Sequence, residues 1–355
     1  LVLGFWVWVG LTAVWSAAPF DERIADWWSW RKLLLVVYCF VLFETVRSKQ
    51  ILMAVLVAVC SVYLVFSWGS FFGLLDIPFE PSKVLENHST QGVLFAGASL
   101  FCIVFALFGK SSVLLRISLV ALALMFAMNV IIVGTGRSGY LFLVVVVLVG
   151  AFLGARSKLL VAIIAGGILT LAVVASDTAR SRIHQAYTES ISAFTPGLEY
   201  NSLGIRLVMW RNTLTLVDQS PLFGTGAGSF KYGYSEVVAD VQGWPGLVSD
   251  DPHQQFLHIC AEYGLVGLII FLAALLAIAA SGSTSSFHVG KIILMCFLLG
   301  SIANSFFNGH FSSFVEGRFA WIFLFALCSG TDDRFGEVLK QKLSVFRNLT
   351  EKIAR

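Results

Sequence analysis

Charge is scarce in this chain. Asp, Glu, Lys and Arg make up 13% of its 355 residues, about half the roughly 25% of an ordinary soluble domain, which excludes a soluble enzyme. The formal net charge of +3 is too small for a nucleic-acid binder, and the basic residues are scattered rather than set along an aromatic-flanked stripe. Cysteines at metal or redox spacing are also lacking. Cys39, Cys60, Cys102, Cys260, Cys296 and Cys328 lie in or beside apolar runs with no CxxC, so they read as small buried hydrophobes. No DxD occurs, and no pair of carboxylates is placed for glycoside hydrolysis. No cofactor is called for.

What the chain has instead is 57% hydrophobic residues, gathered into apolar runs at 1–18, 31–46, 51–72, 92–109, 113–134, 139–154, 158–175, 259–280, 290–308 and 318–330. A spanning helix needs about 20 such residues, so the expected fold class is an all-α polytopic integral membrane protein with about ten visible spans. The chain opens inside a run, at Leu1, without a basic n-region or a cleavage site, which points to missing upstream sequence rather than a signal peptide. Four regions follow: an N-terminal bundle of about seven spans over 1–175, a polar loop at 176–258, three C-terminal helices over 259–330, and a basic tail at 331–355.

Thirteen basic residues flank the span ends on one side and six on the other, with the long loop left out of the count. By the positive-inside rule the first side, with the C-terminus, is cytoplasmic. The 176–258 loop, the 73–91 loop and the turn Gly134-Thr135-Gly136-Arg137-Ser138-Gly139 are then external. The long loop has helical periodicity of its own. Leu203, Leu207, Trp210, Leu214 and Val217 fall on one stripe at 100° per residue, flanked on opposite sides by Arg206 and Arg211, and such a helix can lie at a membrane surface. A second amphipathic stretch covers 180–194 and ends at Pro196-Gly197.

The candidate chemistry is external. Arg137 sits in a glycine-bracketed break where backbone N–H groups and a guanidinium can cradle an anion, and arginine grips phosphate bidentately. Its bland reading is an interfacial arginine at a tight turn. Arg206 and Arg211 carry the same two readings, phosphate clamp or headgroup contact. His253, in Asp250-Asp251-Pro252-His253-Gln254, is the best general-base candidate because imidazole accepts a proton near neutral pH; a hydrogen-bonded interfacial histidine is the alternative. His88 and His310 are further candidates for sugar or phosphate contact, whereas His258 reads as structural. Glu262 reads as a cap on the eighth span, or else as a brace for the nearby loop. A metal site built from Asp251, His253, His258 and Glu262 is disfavoured, since residues five apart on a continuous helix diverge by about 140°. The glycine-rich segment Pro221 to Phe230 follows a helix rather than a strand, so it is not a dinucleotide loop.

Thr135-Gly136-Arg137-Ser138-Gly139, Arg206-x-x-x-Trp210, Pro221-Leu222-x-Gly224-x-Gly226-x-Gly228-x-Phe230, Pro252-His253-Gln254-x-x-Leu257 and Glu262-x-Gly264-x-x-Gly267 together, in that order, resemble the bacterial O-antigen ligase and polymerase superfamily. The resemblance implies a GT-C-like bundle of about twelve spans in the inner membrane, two of them preceding Leu1, with the site facing the periplasm. It implies an undecaprenyl-pyrophosphate-linked glycan as donor, lipid A-core as acceptor, and no metal. By the same resemblance His253, Arg137 and Arg206 are catalytic. Arg211, added as a neighbour from its place on the loop helix rather than by resemblance, is expected to bind substrate together with Gln254, His88, His310 and Trp210. Gln254 departs from the family's usual His-Asn pair but keeps an amide. Competing readings are an O-antigen polymerase or a protein O-oligosaccharyltransferase with the same donor. A transporter is disfavoured because Glu44 is the only acid well inside an apolar run.

Overall fold

The computed structural model describes residues 1–109, 111–154, 201–284 and 288–329, with five isolated positions between 180 and 188. The expected run at 158–175, most of the stretch at 180–194 with its Pro196-Gly197 end, and the 331–355 tail lie outside the described residues. Among those described, all regular structure is helical: α1 (Val2–Thr12), α2 (Phe20–Ser29), α3 (Leu35–Leu42), α4 (Val46–Phe71), α5 (His88–Phe108), α6 (Val113–Met128), α7 (Arg137–Gly154), α8 (Ser202–Gln219), α9 (Phe230–Val237), α10 (Gln255–Thr284), α11 (His288–Ser305) and α12 (Val315–Cys328). The chain is a polytopic, all-α membrane protein.

Among the described residues, four stretches are long and apolar enough to cross a bilayer, namely Val46–Phe71, His88–Phe108, Val113–Val133 and Gln255–Ser281. Several expected spans are shorter than the apolar runs that announced them. The run at 1–18 is helical only over Val2–Thr12. The run at 31–46 is a tight 3-10 turn over Trp30–Leu34 followed by α3, and it stops at Leu42. There Thr45 leaves the helical conformation, and its hydroxyl accepts from Ser48 N–H, opening α4 five residues before its apolar run. A hydroxyl in that position satisfies an otherwise orphaned helix donor, so Arg47 to Gln50 become the first turns of a span.

Among the four long helices α5 is the buried one, with 78% of its apolar window buried against 22–33% for α4, α6 and α10, and the shorter α12 is largely buried as well. Gly92 lets α5 touch α7 closely, since a Cβ there would stand 2.7 Å from the Cα of Gly139; small residues are what permit such approach between membrane helices. Deeper in, Phe101, Phe297, Phe319 and Phe323 stack and tilt against one another across α5, α11 and α12. Gln91 on α5 donates to Ser67 Oγ, Pro81 O and Asn129 Oδ1, and its own carbonyl accepts from Val84 N–H. This network ties the connector after α4 onto one end of the bundle. At that same end Thr90 donates to Glu316, Asn308 donates to Ser138, and Ser312 donates to Gln255. The starts of α5, α7, α10 and α12 and the connector 306–314 therefore meet.

Candidate functional site

Where these ends meet, a polar cavity of about 440 Å³ opens, lined among others by Glu86, Asp251, His253, Asn308, His310 and Glu316. Beside it lies an apolar groove of about 540 Å³ lined by Leu141, Trp210, Gln254, Ile302, Phe306 and Phe307, among others. Consecutive residues divide the two: His253 faces the cavity and Gln254 the groove.

The loop carrying His253 is held by named bonds. Asp251 Oδ1 accepts from the His253 backbone N–H at 2.7 Å, an Asx-type turn, and Asp251 Oδ2 lies 4.0 Å from His253 Nδ1. Trp210 on α8 donates its indole N–H to Pro252 O at 3.0 Å. His253 has φ +52° and Glu86 φ +61°, the two non-glycine residues with positive φ among those described, and both line the cavity. Such conformations cost about 1–3 kcal/mol each and persist only where the surroundings enforce them. α10 begins at Gln255, so His253 stands outside it and the 140° divergence expected from His258 on one helix does not apply.

His310 is 3% exposed and lines the cavity. Burial holds its imidazole down at about 4, against the opposing pull of Glu316 and with help from the Lys32 charge, so the ring is neutral at pH 7. Its Nε2 has no hydrogen-bond partner. Lys32 donates to Ser312 O and to Ser313 O, the latter at 2.8 Å, anchoring the connector that carries His310.

His88 is the first residue of α5 rather than part of a preceding loop, with Asn87 as cap. Its Nδ1 is 2.6 Å from Thr135 Oγ1, and its neighbours Asn87 and Ser89 line the cavity. Arg137 opens α7 instead of standing in a free turn. It is flanked by Gly136, packed against His88 O and Ser89 N, and by Ser138, bonded to cavity-lining Asn308. Arg206 is half-buried on α8, one turn before Trp210 and so on the same helix face. Arg211 is exposed and lies about 140° around the helix from Arg206. Gln254 Oε1 accepts from Leu257 N–H at the start of α10, a capping task that asparagine performs equally well.

The stripe on α8 is not its buried face. Gly204, Val208, Thr213 and Leu216 are buried, while Leu214 is 51% exposed. Leu216 sits in a small second core with Phe230, Tyr234, Val238 and Ala261. Thr213 can be buried there because its hydroxyl donates to Met209 O.

The glycine-rich segment is a clasp. Thr225 N–H donates to Ala261 O, Gly226 N–H to Glu262 O, Leu265 N–H to Pro221 O and Val266 N–H to Leu222 O. Gly224, Gly226, Gly228 and Gly264 all have positive φ, and a Cβ on Gly264 would stand 2.2 Å from Leu222 O. Glu262 lies eight residues inside α10, not at its mouth. Its Oε1 accepts from Phe230 N–H, bracing α9, and its Oε2 is 3.5 Å from His258 Nε2. A buried acid within a spanning helix thus exists, contrary to the expectation from Glu44, and its partners are structural.

Sequence reasoning passed over Glu316, Glu86 and Asn308. Glu316 was detectable as an acid at the lip of an apolar run; nothing local marks the other two. It also passed over Asp26, which accepts from Tyr263 Oη at 2.7 Å and is raised to about 7 by burial and the Glu262 charge.

Two comparisons bear on this arrangement. Residues 120–272 match the family described as O-Antigen ligase. An uncharacterized protein of Haemophilus influenzae is 26% identical over 266 residues, 69% of this chain and 63% of its own length, so the chain spans less than two thirds of that relative. The family match covers α7, α8, the clasp and His253, together with Arg137 and Arg206.

Proposed function

Because residues 120–272 match the O-antigen ligase family, we propose that the protein transfers a glycan from undecaprenyl pyrophosphate to the lipid A-core acceptor at the periplasmic face of the inner membrane. The observation that carries this reading is the division at His253 and Gln254, which sets an imidazole between a polar cavity and an apolar groove. A lipid-linked sugar needs such a pair of surfaces, one for hydroxyls and one for a polyprenyl chain.

In this reading His253 takes the proton of the acceptor hydroxyl as its oxygen attacks the anomeric carbon. The new C–O bond forms while the bond from that carbon to the diphosphate oxygen breaks, and the electron pair leaves with the diphosphate. One displacement inverts the anomeric centre. Arg137 and Arg206 stabilise the charge that develops on phosphate, the role in which fixed cationic donors contribute most. Asp251 Oδ1, through the His253 backbone, fixes where the imidazole stands.

The test uses purified full-length protein, undecaprenyl-pyrophosphate glycan and lipid A-core, with chelator present. Wild type is expected to give product of inverted configuration, and His253→Ala, Arg137→Ala and Arg206→Ala each to lose about a hundredfold or more in rate. Elongation of the donor with no transfer to lipid A-core would make the chain a polymerase instead, and retention of configuration would overturn the single displacement.

A further inference from the structure

The residues lining the polar cavity are unlike those of a phosphate site. Among the described residues its wall holds the carboxylates of Glu86, Asp251 and Glu316, side-chain amides and hydroxyls, and two histidines, but no lysine or arginine. A phosphate seated there would face carboxylates while the Lys32 ammonium behind the wall is engaged by the Ser312 and Ser313 carbonyls, a like-charge arrangement that costs free energy in a partly desolvated space. Sugar hydroxyls suit the same wall, since each offers a donor to a carboxylate and an acceptor to an amide or hydroxyl N–H or O–H.

The second observation is His310. It is 3% exposed and lines the cavity, and its Nε2 has no partner. Buried polar atoms are nearly always satisfied, and an exception calls for an absent partner. Glu316 stands in the same wall, 7% exposed, with Oε1 already accepting from Thr90 Oγ1 at 2.8 Å. Its carboxylate has remaining lone pairs, and Thr90 fixes its position.

We propose that Glu316 and His310 form the hydroxyl-binding subsite for an uncharged stretch of the acceptor glycan, and that they determine acceptor rather than donor affinity. This rests on the transferase reading above. Glu316 accepts from one sugar hydroxyl and His310 exchanges a hydrogen bond with another, holding the glycan in the cavity that His253 also lines. Arg137 and Arg206 lie outside this wall, so the donor diphosphate binds elsewhere.

The test measures binding without turnover, and so stands even if no transfer is seen. Full-length protein in nanodiscs is titrated with deacylated, phosphatase-treated core oligosaccharide, and separately with undecaprenyl pyrophosphate. Glu316→Gln keeps the oxygen that Thr90 bonds, and His310→Phe keeps the packing against Phe142 and Phe311. Both variants are expected to weaken the oligosaccharide about tenfold or more, the loss expected for a buried hydrogen bond to a polar group, while affinity for undecaprenyl pyrophosphate stays within about twofold. The untreated, phosphorylated oligosaccharide should bind no more tightly than the treated one. Absence of oligosaccharide binding to wild type, unchanged binding by both variants, equal loss of both ligands, or a preference for the phosphorylated form would each overturn the proposal. Failure of transfer with this binding pattern intact would instead overturn the ligase reading alone.

Discussion

His253 combines two properties that pull against each other. Its φ of +52° is one that glycine adopts freely and an L residue does not, yet imidazole is the side-chain type best suited to general-base work. His253→Gly should therefore be as stable as wild type or more so in thermal unfolding, while transfer falls by about 10² to 10⁴-fold, the usual contribution of a general base. A variant that unfolds earlier than wild type would show that the backbone there is not strained. At this scale the candidates were legible by type. Histidines and arginines near span ends stand out in a chain with 13% charge. Glu316 escaped because the apolar run was read from Arg318, leaving the acid in a loop, whereas α12 starts at Val315. Arg211 was legible by type, and its side of α8 is exposed.

Among the elements, the clasp between Pro221–Gly228 and the break in α10 does the most to place the site. It fixes α9 and the end of α8 against α10, and α8 in turn holds the His253 loop through Trp210. The ordered motif was visible in the sequence, but its task was not, because glycine spacing is shared by phosphate loops and by close backbone approaches. Gly264→Ala should cost about 3 kcal/mol, combining an unfavourable φ with a Cβ clash against Leu222 O, and should lower the unfolding temperature. A conservative Gly4→Ala, which meets nothing within 4 Å, serves as control. Equal stability of the two variants would contradict the clasp. The inverted face of α8 belongs here too: its stripe had the right period, but a helix packed on one side only buries whichever face meets its neighbours.

For the whole molecule, the four regions and the sidedness inferred from basic residues are best tested by labelling. The six native cysteines are buried, so introduced ones dominate the reaction with an impermeant maleimide. Phe79→Cys, Val248→Cys and Phe314→Cys, all at exposed positions of one end, should label from the periplasmic side of intact spheroplasts. Arg47→Cys, at the other end of the 26-residue α4, should label only after the membrane is opened. Labelling of Arg47→Cys together with the other three would sink the orientation.

The sequence by itself determined that this chain is helical and lives in a membrane, because hydrophobic runs and scarce charge act locally and leave a bilayer as the only adequate solvent. Its ordered motifs also carried the resemblance to the O-antigen ligase family, which residues 120–272 match. Only the tertiary structure decided which residues share a wall. Thr90 and Glu316 are 226 positions apart and bonded, and His253 reaches His310 and Glu86 across one cavity. Such meetings come from helix packing, in which glycines let α5 touch α7 and buried polar bonds fix the connecting loops, and no local pattern encodes the distance between two loops on different helices.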